Sequence, residues 1–140
     1  MRKMTSRLRR AGLLLSAGLI AASLPVFGHH GTGVAYDSDK PAELKGTVTE
    51  FQWLNPHARL FIDAKSPNGT IEHWAVEMNS PGVMTRQGWN RHQIKAGDGI
   101  TITVFPAKSG ALVGSCIGRC RVIVNGVDIT PQPTSGNEQF

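Results

Sequence analysis

Between Leu44 and Leu54 the apolar residues change sides partway along what otherwise reads as one extended segment. Leu44, Gly46 and Val48 share one parity, whereas Phe51 and Trp53 fall on the other. Successive side chains of a strand point to opposite faces, so an unbroken strand cannot keep both groups on one side. One extra residue reconciles them: a β-bulge near Glu50, which also bends the strand strongly. The rest of the chain has to fold around this long, bent first strand.

The segments that follow are short and punctuated by turns. Asn55-Pro56 turns the chain, and Ala58 to Ala64 reads as a second strand with Leu60 and Ile62 on one face. Ser66-Pro67-Asn68-Gly69 is a strong turn, which predicts a hairpin into a third strand, Ile71 to Met78, with Trp74, Val76 and Met78 inward. Ser80 fits an N-cap with Pro81 as the first helical residue, opening one or two turns that end by Gly88. Lys95-Ala-Gly-Asp98 turns the chain into a fourth strand carrying Ile100, Ile102 and Val104, which Pro106 ends. A last strand runs through Val122 to Val124, and Asn125-Gly126 turns it into Val127 to Ile129. The expected class is all-β with small α content: a five-stranded OB-like barrel with a short helix between strands three and four. A β-sandwich fragment is the alternative. The predicted boundaries are an N-terminal arm over residues 29–41, the barrel over 42–130 and a disordered tail over 131–140.

Residues 1–28 read as a signal peptide. Arg2, Lys3, Arg7, Arg9 and Arg10 form a positive start, and Ala11 to Phe27 is apolar apart from Ser16 and Ser23. Val26 and Gly28 suit a cut before His29, and the apolar run is short for a retained membrane anchor. Export to the periplasm or the medium follows as an expectation, with no membrane attachment after cleavage. The five basic residues of the signal equal the whole formal net charge of +5, so the remainder is near neutral and gives no reason to expect nucleic acid as a partner. Cys116 and Cys120 form an even pair in an oxidising compartment, which favours a disulfide. Residues four apart in a strand are about 13 Å apart, whereas bridged Cα atoms lie within about 7 Å, so the bond requires a turn at Gly118.

Eight short motifs in order resemble a family of small exported bacterial proteins catalogued as a domain of unknown function (family 6152). They are His29-His30, Tyr36-Asp37, Gly46-Thr-Val-Thr-Glu-Phe-Gln-Trp53, Asn55-Pro56-His57-Ala58, Trp74-Ala-Val-Glu77, Ser80-Pro81, Arg86-Gln-Gly-Trp89 and Lys95-Ala-Gly-Asp98. The resemblance implies export and a small β domain, supplies no activity, and does not include the cysteines.

The chemistry that stands out is imidazole. All five histidines follow the signal, and a cut before His29 would let its α-amine and ring chelate one metal ion together. Nitrogen donors in a planar set favour Cu(II). In its terminal histidine this resembles the histidine brace of copper-dependent polysaccharide oxygenases and some periplasmic copper carriers. His57, at the loop between the first two strands, is the candidate second imidazole and His30 the lesser one; Asp37 could ligate or orient a ring. His73 and His92 read as solvated. A rival expectation is a binding module that uses the barrel face, with Trp53 and Trp89 as the more open aromatics, for a small ligand or a protein partner. Hydrolase and nucleotide-binding motifs are absent. An oxidative copper enzyme would need a substrate platform and an axial site that the sequence does not locate, so the expected role is non-catalytic, with copper as the one candidate cofactor.

Overall fold

In the computed structural model, which describes residues 35–132, the first strand β1 (Ala42–Gln52) pairs antiparallel on both sides, with β2 (Arg59–Lys65) and with β4 (Gly99–Pro106). Its pairing with β2 shifts register between Val48 and Glu50, which is the bulge that the change of parity predicts. Before it Leu44 and Val48 point into the core; beyond it Phe51 and Trp53 pack against the same core. β4 pairs with Ala42 to Thr47 and β2 with Gly46 to Gln52, so Gly46 and Thr47 are paired on both sides and the bulge follows them.

The remaining elements are β3 (Ile71–Glu77), α1 (Pro81–Arg86), β5 (Val113–Ser115), β6 (Val122–Val124) and β7 (Val127–Asp128). Sheet order β1-β2-β3-β5-β4, with β4 returning to β1, closes a five-stranded barrel, and β6 and β7 are two additional strands. The β3–β5 pair is parallel and every other pair is antiparallel. α1 lies between β3 and β4 as expected, with the Ser80 side chain accepting from Val83 N and Pro81 at the start of the helix. Leu60, Ile62, Ile102 and Val104 fill the interior at 1% exposure or less. Among the described residues, no helix is long and apolar enough to cross a membrane.

One strand assignment is corrected. The fifth barrel strand is Val113–Ser115, which sequence periodicity missed, whereas Val122–Val124 is an added strand on β4. The two are related. Ala107 N donates to Val113 O and Thr103 N donates to Arg121 O, so both segments lie along the same edge of β4. Ser115 faces Phe105 and Val122 faces Ile102. Between these pairs, two residues of β4 oppose six of the segment from β5 to β6, leaving four to loop out. A Cys116–Cys120 disulfide spans the base of that excursion with a Cα–Cα distance of 5.1 Å, and the chain reverses at Gly118, whose φ is +89°. The disulfide therefore closes the loop between the barrel strand β5 and the added strand β6, which pair with successive stretches of β4. Closing so small a loop is worth about 2 kcal/mol in chain entropy. Replacing both cysteines by serine should lower the urea unfolding free energy by about that amount, with the secondary structure intact.

The Lys95-Ala-Gly-Asp98 turn locks the bulge. Gly97 N donates to Val48 O and Val48 N donates to Asp98 O. The Asp98 carboxylate accepts from Asn125 Nδ2 at 2.9 Å and from Lys95 N at 2.7 Å, and these bonds, the Asn125 one first, hold it below the usual carboxylate range. The stability it contributes is present above its unfolded pKa and is lost as pH falls through the lowered folded value.

Candidate functional site

On β2 and β3 the residues between the core positions face outward. The register sets Arg59 opposite Glu77, Phe61 opposite Ala75 and Asp63 opposite His73. His73 Nδ1 lies 2.6 Å from Asp63 Oδ1, with the imidazole 80% exposed, so that pair adds little to stability. At the other end of this face, Tyr36, Arg59, Phe61, Ala75, Val76, Glu77 and Val113 line a concavity of about 270 Å³.

Glu77 is the centre of the polar groups there. Tyr36 Oη donates to its Oε2 at 2.8 Å. Its Oε1 lies 3.7 Å from His57 Nε2, with both side chains about two-thirds covered. Its backbone carbonyl accepts from Cys116 N at 2.7 Å, which ties the carboxylate's strand to the start of the disulfide loop.

Each partner is delivered by a separate piece of local structure. The arm brings Tyr36 by an antiparallel bridge to Ala107, flanked by Asp37 N donating to Pro106 O and Lys108 N donating to Ala35 O. The loop after β1, with a cis Asn55-Pro56 bond, brings His57. That loop is fastened by exchanges between Ala58 and the end of the third strand: Met78 N donates to Ala58 O, and Ala58 N donates to Asn79 O. His57 Nδ1 lies 3.1 Å from Met78 O. A carbonyl oxygen only accepts, so Nδ1 carries the proton and the neutral ring keeps its lone pair on Nε2, on the side of Glu77.

Burial pushes the Tyr36 phenol up to about 12; the hydrogen bond to Glu77 and its negative charge act in the same direction, and Arg59 opposes them. The neutral phenol is thus favoured by the folded state. Its contribution is fully present below the unfolded value near 10 and is lost as pH rises towards 12. Because Tyr36 is the chain's one tyrosine, tyrosinate absorbance reports it alone. The expected midpoint is near 12, falling part of the way towards 10 in Glu77→Gln because burial remains. A midpoint of 10 in the unaltered protein would remove Tyr36 from this site.

The residues singled out by sequence are placed unevenly. His57 is in the site. His29 and His30 lie outside the described residues, as does the whole signal peptide. Asp37 is two-thirds or more covered but turned to its own turn, with Oδ1 accepting from Asp39 N and Oδ2 3.7 Å from Lys40 Nζ, so it does not join His57. Trp53 packs edge to face on Phe51, ring centroids 5.7 Å apart, against the core. Trp89 corrects the expectation that adjoining a turn leaves it open: it is 3% exposed within the core, with its backbone N–H donating to the Met84 carbonyl, and offers no ring face to a ligand. Cys116 and Cys120 are disulfide-bonded. Among the described residues, no three His, Cys, Asp or Glu side chains converge as a metal site. Sequence reasoning missed Tyr36, Arg59, Phe61 and Glu77. The available signal was that Tyr36, His57 and Glu77 belong to three of the motifs carrying the family resemblance, and those motifs meet here.

A model of a family described as a family of unknown function (DUF6152) matches residues 16–116. No curated protein matches the chain.

Proposed function

Because the chain belongs to that family of unknown function (DUF6152), its role rests on its own residues, and we propose that it is an exported, non-catalytic protein that holds a copper-type ion. The ion would be bound by the α-amine and ring of His29, once the signal is cut, and by His57. The observation that carries this reading is the fixed tautomer of His57: its Nδ1–H is spent on Met78 O, which leaves the donor nitrogen Nε2 facing a carboxylate 3.7 Å away. Metal-bound histidines are commonly oriented in this way, by a backbone carbonyl on the far nitrogen. Two electron-rich groups face each other there, and a cation or a proton satisfies both.

The arm supplies the remaining donors in this account. Tyr36 is anchored on Glu77, and the seven residue-to-residue steps from His29 to Tyr36 could span up to roughly 24 Å if fully extended. The reading requires the arm to carry His29 to His57, with His30 as the spare imidazole. Two described donors, His57 and Glu77, do not make a site alone, so the amine and ring of His29 decide affinity. Imidazole and amine nitrogens suit Cu(II) above the other common divalent ions.

Protein whose first residue is His29 should take up one Cu(II) with nitrogen hyperfine couplings in its electron paramagnetic resonance spectrum. His57→Ala should remove one coupling and weaken binding by about tenfold to a hundredfold, at least what loss of a ligand's supporting contact costs. An unchanged spectrum in His57→Ala would take His57 out of the site.

A further inference from the structure

The outer face of β2 and β3 carries an arrangement that shares Glu77 with the metal reading and is otherwise unused by it. Phe61 lies half-buried with its ring beside Ala75, a residue too small to cover it. After the bulge in β1, Glu50 is the partner of Phe61 and Gln52 the partner of Arg59, so the polar groups continue across a third strand. Of the polar groups around this ring, Gln52 donates to Glu50, Tyr36 donates to Glu77 and Asp63 lies against His73, so Arg59 and the Glu77 carboxylate are the polar groups of the concavity that a ligand would meet.

Arg59 and Glu77 are the telling pair. They stand directly opposite in register and line the same concavity, yet the carboxylate is turned to Tyr36 and His57. Among the described residues, Arg59 forms no ion pair of its own. A guanidinium and a carboxylate held side by side but apart match neighbouring hydroxyls, each of which accepts from one and donates to the other. One carboxylate, Glu77, and one guanidinium, Arg59, stand in the lining, so the concavity has no net charge to select an anion or a cation. An apolar ring face with hydrogen-bonding edges suits the remaining class, a neutral polyhydroxylated ring, and a volume of about 270 Å³ at the small end of ligand pockets has room for one such ring.

We propose that the concavity between Tyr36, Arg59, Phe61 and Glu77 is a sugar-binding subsite, with a pyranose ring stacked on Phe61 and vicinal hydroxyls bridging Arg59 and Glu77. It shares Glu77 with the proposed copper site but does not need the ion, so it is tested with a chelator present, where its failure leaves the copper reading standing. Uniformly ¹⁵N-labelled protein is titrated with glucose, galactose, mannose and N-acetylglucosamine, with sulfate and choline as anionic and cationic controls, and amide shifts are followed by NMR. The expected result is saturable shifts at Phe61, Ala75 and Glu77 for at least one sugar and for neither control. Binding should weaken roughly tenfold in Phe61→Ala, from lost stacking. Arg59→Gln, an exposed position that leaves the core untouched, should weaken it as well and serves if Phe61→Ala fails to fold. Overturning results are the absence of a saturable shift with every sugar, saturable binding of sulfate or choline alone, or unchanged sugar affinity in Arg59→Gln.

Discussion

Gly46→Ala should be among the most damaging single substitutions in this protein, at about 3 kcal/mol or more. Gly46 is paired on both sides, with Ala64 of β2 and Ile100 of β4. A Cβ there would collide with the carbonyl of Asp63 and the Cα of Ala64. These are backbone atoms in the neighbouring strand, so no rotamer change relieves the overlap and β1 or β2 must shift. Forced atoms in a packed interior usually cost about 1–3 kcal/mol, and a clash against backbone belongs at or beyond the upper end. Against the 5–15 kcal/mol typical of folded domains, that is a large share of stability. Gly82→Ala is the internal control. Gly82 lies in α1, without a positive φ, and the nearest atom to an added Cβ is an Arg86 side-chain nitrogen at 3.9 Å. There alanine should stabilise by up to about 1 kcal/mol, through helix propensity and a less flexible unfolded chain. Urea denaturation of the two variants should give opposite signs; equal effects would mean that β1 and β2 do not approach as described.

The parts of this fold that were legible in sequence are those set by local chemistry. The bulge is written in the parity of Leu44 to Trp53, and α1 in Ser80-Pro81, because a cap and a first-turn proline act within a few residues. β5 was not legible. Val113-Gly-Ser115 is three residues with a glycine at the centre, too short for alternation, and it is a strand because β3 and β4 hold it from either side. The added strand Val122–Val124 carries the stronger β signal and so took its place. Trp89 was misjudged for a similar reason. A turn beside it suggests exposure, but the chain beyond α1 folds back so that its backbone N–H donates to Met84 O and its ring lies in the core.

The site was half visible. His57 stood out as an imidazole after Asn55-Pro56, and Cys116 with Cys120 as a pair needing a turn. Glu77 did not, since an outward-facing glutamate on a strand ordinarily reads as solvated. Its significance arises from residues far along the chain: Tyr36 is 41 positions away, and His57 reaches Glu77 only because the loop after β1 is fastened to the end of β3. Only the shared family motifs indicated that these segments belong together.

The second large effect concerns His29 as the proposed first residue after cleavage. In this account the α-amine and the ring of His29 grip one ion as a chelate, and converting the amine to an amide removes one donor and the ring closure with it. Tethered donors raise affinity by roughly a hundredfold or more over separate ones, so loss of the chelate should be larger than loss of His57 alone. Acetylation of His29 tests this without adding residues. An extension should be three residues long, because one or two would place a histidine third in the chain, where it chelates copper with its own amine and amides. The decisive measurement is therefore a Cu(II) titration of two forms that differ only at that amine, free and acetylated, each starting at His29. The account predicts one tightly held ion in the free form and at least a hundredfold weaker binding in the acetylated form, a difference sized from the tethering estimate. Equal affinity in the two forms would contradict it.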